Sequence, residues 1–263
     1  MTITDWIQKD QSAFSDDRCP LCGNTGYITY KDESGREIAK ECSCGYWERR
    51  IKGARKEFAD IPAAFSSVRL ENFMKSVYRN PESQKQIITV AKGVKYWLDN
   101  LNKMKNNGIG LYFYSTTKGS GKTRLAASVA NELIDKHNQS VKFATSPEII
   151  QEIRRSWDEK TLSESELMHS LKICEILIID DFGTELDRQW INDKFYEIIN
   201  DRYVNKRITI YTSNYPPERL KYDERIINRL EERSLVLHFP EESVRKHIAD
   251  EHMRDMLDAI SEE

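Results

Sequence analysis

The sequence predicts an α/β fold in which helices cover both faces of a parallel sheet, preceded by a small cysteine-rich module. From residue 83 onward, short apolar strands alternate with helical segments, and this alternation is typical of a parallel sheet that is buried on both faces. Four of the five cysteines lie together near the start of the chain. A length of 263 residues accommodates one ordinary domain and a small second one.

Composition and charge exclude several classes of protein. Hydrophobic residues make up 39% of the chain and charged residues 32%, and there are only 11 glycines and 7 prolines. This composition excludes collagen-like and low-complexity chains. The longest strongly apolar run, Ile176 to Ile179, is far shorter than the roughly 20 residues that span a bilayer. The first residues lack the features of a secretory signal. We therefore expect a cytoplasmic protein with no membrane segment, whose net charge of -3 restricts nucleic-acid contacts to a local patch.

The cysteine pattern indicates a metal site. Cys19, Cys22, Cys42 and Cys44 lie within 26 residues, whereas Cys174 is alone and is interpreted as a core residue. In a reducing compartment such clustering favours metal binding over disulfides. Two thiolates spaced Cys-x-x-Cys bind one ion, and four sulfurs complete a tetrahedral zinc site. An iron-sulfur cluster, a redox role and accidental clustering are the alternatives.

We predict two domains, with a boundary near residue 58. Residues 1–58 form the zinc-binding module and a basic linker, because Gly45 to Phe58 has a helical pattern and its stretch from Arg49 to Lys56 holds five basic residues and no acid. Residues 59–263 form the larger domain, and the segment from Asp60 to Phe73 is expected to lie across its surface.

The larger domain contains strands and helices in alternation. Expected strands are 108–115, 140–145, 174–180, 207–212 and 235–239, and expected helices are 83–104, 122–137, a helix after 146 that is capped by Ser146 with Pro147, a second helix ending near 171, then 189–204, 223–233 and the end of the chain from 241.

A phosphate-binding loop follows the first of these strands. Its residues are Thr116, Thr117, Lys118, Gly119, Ser120, Gly121, Lys122 and Thr123. Glycines allow backbone N–H groups to approach phosphate oxygens, the lysine reaches the β- and γ-phosphates, and the threonine hydroxyl is placed for Mg²⁺. Thr116 stands where the usual pattern has glycine, which is expected to weaken nucleotide binding. The alternative is a chance glycine turn before a helix.

Two later strands end in polar residues. Asp180 and Asp181 end the apolar strand EILIIDDFG, where parallel strands present their carboxyl ends to ligands. We expect Asp180 to hold Mg²⁺ and Asp181 to polarise the attacking water. Asn214 ends the strand RITIYTSN, from which its amide can orient water. Taken alone, the aspartates could simply end a strand and Asn214 could belong to an Asn turn.

Several motifs together resemble a known family. GSGKTRLAASVANELI, LIIDDFGTE, TIYTSNYPPERL, RIINRLEE and ESVRKHIA resemble the AAA+ ATPases of the DnaC/DnaI helicase-loader group over about residues 60 to 250. The IstB transposition helpers are similar over the same span. CPLCGNTGYI resembles the amino-terminal zinc module of Gram-positive and phage loaders.

The resemblance implies an ATPase that uses ATP, Mg²⁺ and Zn²⁺. It implies that Asn214 is sensor 1 and that Arg245 is a late arginine of the nucleotide site. It also implies that Arg229 is an arginine finger supplied to a neighbouring subunit. Arg225 lies one helical turn before Arg229 and is a possible partner of Arg229 in that role. Implied partners are a replicative helicase, single-stranded DNA and further copies of the chain in a ring or spiral. Arg154, Arg155 and Trp157 are candidate DNA contacts, although arginines on a charged helix are commonly solvated.

The sequence therefore predicts an ATP-dependent replication protein that oligomerises, binds single-stranded DNA and loads a helicase. An IstB-like regulator of a transposase is one alternative. A zinc-dependent adaptor that binds nucleotide without turnover is another, which Thr116 leaves open.

Overall fold

A computed structural model of the chain describes residues 18–73, 75–158, 164–184 and 189–261. Contacts between Cα atoms divide the chain into two units, Met1–Phe58 and Ala59–Glu263. In the described part of the first unit, an antiparallel hairpin of β1 (Tyr27–Lys31) and β2 (Glu37–Glu41) separates the two cysteine pairs. Helix α1 (Tyr46–Ala59) follows and includes the basic stretch. The first 17 residues of the predicted zinc module lie outside the described residues.

The second unit is built on a five-stranded sheet of order β4-β5-β6-β3-β7, in which every pairing is parallel. Its strands are β3 (Gly110–Tyr114), β4 (Val141–Thr145), β5 (Ile176–Phe182), β6 (Ile208–Ser213) and β7 (Ser234–His238). The helices are α2 (Pro81–Asp99), α3 (Leu101–Asn107), α4 (Lys122–Asp135), α5 (Ser146–Asp158), α6 (Glu164–Ile173), α7 (Gln189–Val204), α8 (Glu224–Glu232) and α9 (Val244–Ser261).

Apolar side chains form one core on each face of this sheet. Apolar residues of α2, α3 and α4 pack on one face with the buried side chains of Leu111 and Ile178. Those of α5, α6, α7 and α8 pack on the other face with Tyr112 and Ile179. Successive residues of a strand alternate between the two cores, as a pleated strand requires. The predicted fold class, a parallel sheet covered by helices on both faces, is confirmed.

The segment before α2 lies against the first core, as predicted. Phe65, Leu70 and Phe73 are partly buried there, and Asn131 of α4 donates hydrogen bonds to the carbonyls of Phe65 and Val68, both at 3.0 Å. Because these carbonyls lie outside a continuous α-helix, the amide satisfies groups that would otherwise be buried without a partner.

Two details of the helices differ from prediction. The helix expected over 83–104 is two helices that meet at Asn100. The Asn100 side chain donates to the Tyr96 carbonyl at 2.8 Å and so competes with backbone N–H groups for that carbonyl. Helix α5 is capped one residue earlier than expected. Thr145 and Glu148 hydrogen-bond each other's backbone N–H at 3.2 and 2.9 Å, a capping box that leaves Ser146 inside the helix.

A buried arginine of α7 joins strand β6 to the end of helix α6. Arg202 of α7 is 1% exposed and donates to the carbonyls of Leu171 and Cys174, at 2.8 and 2.9 Å, and to the hydroxyl of Thr209 at 2.9 Å. The guanidinium satisfies carbonyls at the end of α6, where the helix dipole also favours a positive charge.

Arg202→Met is expected to lower the free energy of unfolding by about 3 kcal/mol, because it leaves several buried carbonyls without a donor. Urea denaturation measures this change. Arg207→Met is the control, since Arg207 is about 31% exposed and its loss should cost under about 1 kcal/mol. Equal costs for the two variants would contradict the role of Arg202.

Candidate functional site

The phosphate loop connects β3 to α4 at the carboxyl edge of the sheet, where parallel strands place ligand sites. Gly119 and Gly121 have φ angles of +78° and +100°, which favour glycine. A Cβ on Gly121 would stand 3.1 Å from the Tyr78 hydroxyl. That hydroxyl donates to the Ser120 carbonyl at 2.6 Å, so Tyr78 supports the loop from outside.

Lys122 is the first residue of α4 and only 5% exposed. Its Nζ donates to the carbonyls of Ser115 and Thr117 at 3.2 and 3.3 Å. Burial lowers the pKa of Lys122, and the nearby charges of Asp181 and Glu241 oppose that shift. The ammonium is thus held by the carbonyls of its own loop.

Asp180 joins the loop to the neighbouring strands. Its Oδ1 accepts hydrogen bonds from Thr123 of α4, at 2.9 Å, and from Thr212 of β6. Burial raises the pKa of Asp180 to about 6, although both hydroxyls oppose the shift. Thr212 also accepts from the Asp181 N–H at 3.0 Å. A carboxylate and a hydroxyl at this distance fit the oxygen ligands that Mg²⁺ prefers.

Strand β5 extends beyond Asp180, which corrects the expected strand end. The register shifts between Ile179 and Phe182, and Asp181 has a φ of +54° within the strand. Ile179 and Phe182 both lie in the second core, although residues three apart in a regular strand face opposite sides. The bulge therefore releases Asp181 from the pleat, next to the phosphate loop.

Glu241 contacts the turn in which Thr116 stands in place of the usual glycine. Its carboxylate accepts from the N–H groups of Thr116 and Thr117, at 3.0 and 2.8 Å, from the Thr116 hydroxyl at 2.7 Å and from His238 at 2.9 Å. Burial opposes ionisation, but these hydrogen bonds lower the pKa of Glu241 to about 2. Glu241 therefore gives Thr116 a specific partner for both its N–H and its hydroxyl.

The start of α9 also lies on the loop. The N–H groups of Val244 and Arg245 donate to the Gly119 carbonyl at 3.0 and 3.3 Å, which places Arg245 beside the phosphate loop. Asn214 is half-buried directly after β6. Lys118 is exposed.

Arg225 and Arg229 lie on α8, and their described contacts are not with the phosphate loop. Arg225 forms an ion pair with Asp223 at 2.9 Å. Arg229 donates to the Arg225 carbonyl at 2.8 Å and stacks on Tyr196 and Tyr203. Within the described part of the chain, no carboxylate lies within 4.0 Å of Arg229, so it forms no ion pair there, although its charge helps to lower the pKa of Asp223.

The four clustered cysteines converge as predicted. Their sulfur atoms all lie within 4.8 Å of one another, with Cys19 and Cys42 3.8 Å apart and Cys22 and Cys44 3.7 Å apart. A tetrahedral zinc ion with Zn–S bonds of about 2.3 Å separates its sulfurs by about 3.8 Å. The sulfur set fits such an ion. Cys174 is buried in the second core, as predicted.

An aromatic patch lies on α5 and α7. Trp157 is 52% exposed and packs edge-on against Trp190 at 5.0 Å, and the Arg154 guanidinium lies 5.3 Å from the Trp190 ring. Arg155 instead pairs with Glu152 at 2.7 Å. Arg154 and Trp157 thus share one surface, and Arg155 is neutralised on its own helix.

Sequence reasoning missed Thr212, Glu241 and Tyr78. Thr212 faces Asp180 because β6 adjoins β5, and Glu241 reaches the loop because β7 adjoins β3. A signal existed in both cases, since each is a polar residue at or just after the carboxyl end of a strand. The order of strands, which pairs them with their targets, was the missing information. Tyr78 carried no comparable signal.

The fold and this loop define a phosphate-loop protein of the AAA+ class. Residues 82–237 match the family described as the bacterial DnaA ATPase domain, and the chain belongs to this family. Among the described residues, no helix is long and apolar enough to cross a membrane.

Curated relatives confirm the resemblance to helicase loaders. The chain is 32% identical over 116 residues to the replicative helicase loader DnaI of Bacillus subtilis, covering 44% of this chain and 36% of that one. It is 26% identical over 127 residues to the replicative helicase loader DnaC of Escherichia coli K12, covering 48% and 51%. The matches therefore span about a third to a half of these relatives.

Solved structures share the fold. A DnaC helicase loader aligns with a TM-score of 0.57 at 22% identity, over 68% of this chain and 99% of that one. The replication initiator DnaA bound to AMPPCP and single-stranded DNA aligns with a TM-score of 0.56 at 20% identity, over 74% and 56%.

Asp180→Asn is expected to stabilise the nucleotide-free protein above pH 6. The native pKa of about 6 exceeds the unfolded value of 3.8, so the buried charge costs at most about 3 kcal/mol above pH 6. That cost falls as the native carboxyl is protonated and vanishes below about pH 4. Asparagine can still accept from Thr123 and Thr212 and avoids the cost at every pH.

Urea denaturation of both proteins between pH 4 and 8 measures the difference, with Asp181→Asn as the matched control at the neighbouring carboxylate. A gain of about 1 to 3 kcal/mol at pH 8 that disappears near pH 4 is expected. A loss of stability at pH 8 would show that the hydrogen bonds to the carboxylate outweigh its burial.

Proposed function

We propose that this chain is an ATP-dependent DNA replication protein that hydrolyses ATP, oligomerises, binds single-stranded DNA and loads a replicative helicase. The observation that carries the proposal is the contact between Thr123 of the phosphate loop and Asp180 at the end of the adjacent apolar strand, 2.9 Å apart. Membership of the DnaA ATPase-domain family and the names of the curated relatives support it.

Each residue of the site has a role in this proposal. Lys122 and the loop N–H groups after Thr117, whose own N–H binds Glu241, would bind the β- and γ-phosphates, while Thr123 and Asp180 would hold Mg²⁺, which would neutralise charge on the phosphates. Asp181 accepts a proton from the attacking water, and Asn214 orients that water. The release of Asp181 from the pleat by the bulge supports its role, because a carboxylate inside a regular strand is less able to reach a water.

The contacts of Glu241 support turnover over the adaptor alternative. That alternative depended on Thr116 weakening the loop. Because Glu241 binds both the N–H and the hydroxyl of Thr116, the loop is preorganised without the usual glycine, and preorganisation limits the cost of ordering on nucleotide binding.

We assign the finger role to Arg229 rather than Arg225. Asp223 neutralises Arg225 through contacts at 2.9 and 3.0 Å, whereas Arg229 has no described carboxylate partner. An arginine that stabilises charge in a neighbour's transition state needs an available positive charge. The assignment requires a ring or spiral in which α8 of one copy faces the phosphate loop of the next.

The partners are inferred from the relatives and from the surface. The relatives are named replicative helicase loaders, and the DnaA neighbour was solved with single-stranded DNA. Trp157, Trp190 and Arg154 offer aromatic and cationic surface that suits stacked bases and phosphates. Affinity capture from the native host tests the partner: a replicative helicase supports loading, and a transposase would support the IstB-like alternative.

Lys122→Ala should abolish ATP binding, because it removes the charge that meets the phosphates. Asp181→Asn should preserve binding within about threefold and lower turnover at least about a hundredfold, because it leaves the loop and the Mg²⁺ ligands intact. Calorimetry and phosphate release measure the two effects. Equal loss of binding in both variants would contradict the assigned roles.

The purified protein is expected to carry about one equivalent of zinc, bound by Cys19, Cys22, Cys42 and Cys44. Chelation should unfold the first unit and spare the second, because metal binding supplies the folding free energy of a small module without a large core. Metal analysis and proteolysis measure this, with Cys174→Ala as the control that keeps its zinc. Metal-free protein prepared under reducing conditions would contradict the site.

A further inference from the structure

Two arginines of α8, the arginine that directly follows this helix and two tyrosines of α7 form an alternating stack, which we call the arginine-tyrosine ladder. Arg225 and Arg229 lie one turn apart on α8, and Arg233 directly follows the last residue of that helix. Tyr196 and Tyr203 stand two turns apart on α7. Tyr196 lies 4.3 Å from the Arg225 guanidinium and 5.0 Å from that of Arg229. Tyr203 lies 5.4 Å from Arg229 and 4.9 Å from Arg233.

The members of the ladder differ in how their charge is balanced. The outer arginines each have an acid, with Arg225 paired to Asp223 at 2.9 Å and Arg233 to Glu232 at 3.3 Å. The central one, Arg229, has none within 4.0 Å in the described part of the chain. Its described contacts are the Arg225 carbonyl, the two tyrosine rings and a long hydrogen bond of 3.4 Å to the Tyr196 hydroxyl.

Aromatic rings can therefore orient the Arg229 guanidinium without pairing it with an anion. A carboxylate would hold the guanidinium strongly and would also neutralise it, whereas a π face attracts the cation without forming an ion pair. A long side chain that is not held would lose rotamer freedom at the moment of reaction, and that loss would reduce its effect on the transition state.

We propose that Tyr196 is a positioning residue for catalysis in the neighbouring subunit, because it orients Arg229 toward the phosphate loop of the next copy. The proposal rests on the proposed function, in which Arg229 acts in trans. The described side-chain contacts of Tyr196 are with Arg225 and Arg229, not with the phosphate loop of its own subunit. Its ring carries the effect, since its hydroxyl contact is long and weak.

The test uses mixed oligomers and measures ATP hydrolysis. Tyr196→Met removes the ring, Tyr196→Phe keeps it, and Tyr96→Leu alters an exposed tyrosine of α2 as the control. Alone, Tyr196→Met should lower kcat roughly threefold to tenfold and change the Kd for ATP less than about twofold. Tyr196→Phe should recover most of kcat, and the control should behave as wild type.

Complementation separates positioning from general damage. Lys122→Ala subunits keep Arg229 but lack a working loop, so a mixture of Lys122→Ala with Arg229→Ala should regain activity and serves as the reference. Tyr196→Met mixed with Lys122→Ala should regain activity likewise. Tyr196→Met mixed with Arg229→Ala should regain no more than Tyr196→Met shows alone, because both variants lack a correctly held finger.

The outcomes distinguish the two levels of the proposal. A reference mixture that regains nothing, although mixed oligomers form, overturns the action of Arg229 in trans and the role of Tyr196 with it. If the reference mixture does regain activity, two results for Tyr196→Met would overturn the role of Tyr196 alone. One is full kcat, and the other is a loss of ATP binding as large as the loss of turnover.

A measurement on the wild-type protein covers the case in which Tyr196→Met does not fold. The Nε–H resonance of Arg229, assigned by its absence in Arg229→Lys, should be shifted upfield by the ring currents of Tyr196 and Tyr203. A resonance at the position of a solvated arginine would overturn the proposal.

Discussion

The buried carboxylate of Asp180 is the constraint on which the functional edge of the sheet depends. It binds a hydroxyl from the helix after the phosphate loop, Thr123, and one from the neighbouring strand, Thr212. One charge therefore holds three elements in register, at a cost in burial that raises its pKa to about 6. A cation at this point would offset that cost, so the same burial that destabilises the nucleotide-free protein favours the magnesium-bound one.

Much of the architecture was predictable because it depends on local patterns. Alternating apolar strands and helices predict a parallel sheet with both faces covered, and the structure has one. The spacing of the cysteines predicts their convergence, since the Cys-x-x-Cys pair at 19 and 22 and the closer pair at 42 and 44 together supply four sulfurs within one short module. The phosphate loop follows from glycine, lysine and threonine at set positions between a strand and a helix.

The remaining features depend on which elements are neighbours, and a single sequence does not state this. Glu241 lies more than a hundred residues after Thr116 and meets it because β7 pairs with β3. The bulge at Asp181 depends on Phe182 packing in the second core. The choice between Arg225 and Arg229 rests on Asp223 and on the tyrosines of α7, since both arginines occupy equivalent positions on one helix face.

Titration calorimetry of ATP, with and without Mg²⁺, tests most directly whether this edge of the sheet is a nucleotide site. One ATP is expected to bind per chain, more tightly with Mg²⁺ than without it, in the wild-type protein. In Asp180→Asn the affinity should fall to the Mg²⁺-free level, because the amide has lost the charge that holds the cation. Absence of binding to the wild type, or an affinity that Mg²⁺ does not change, would contradict the account.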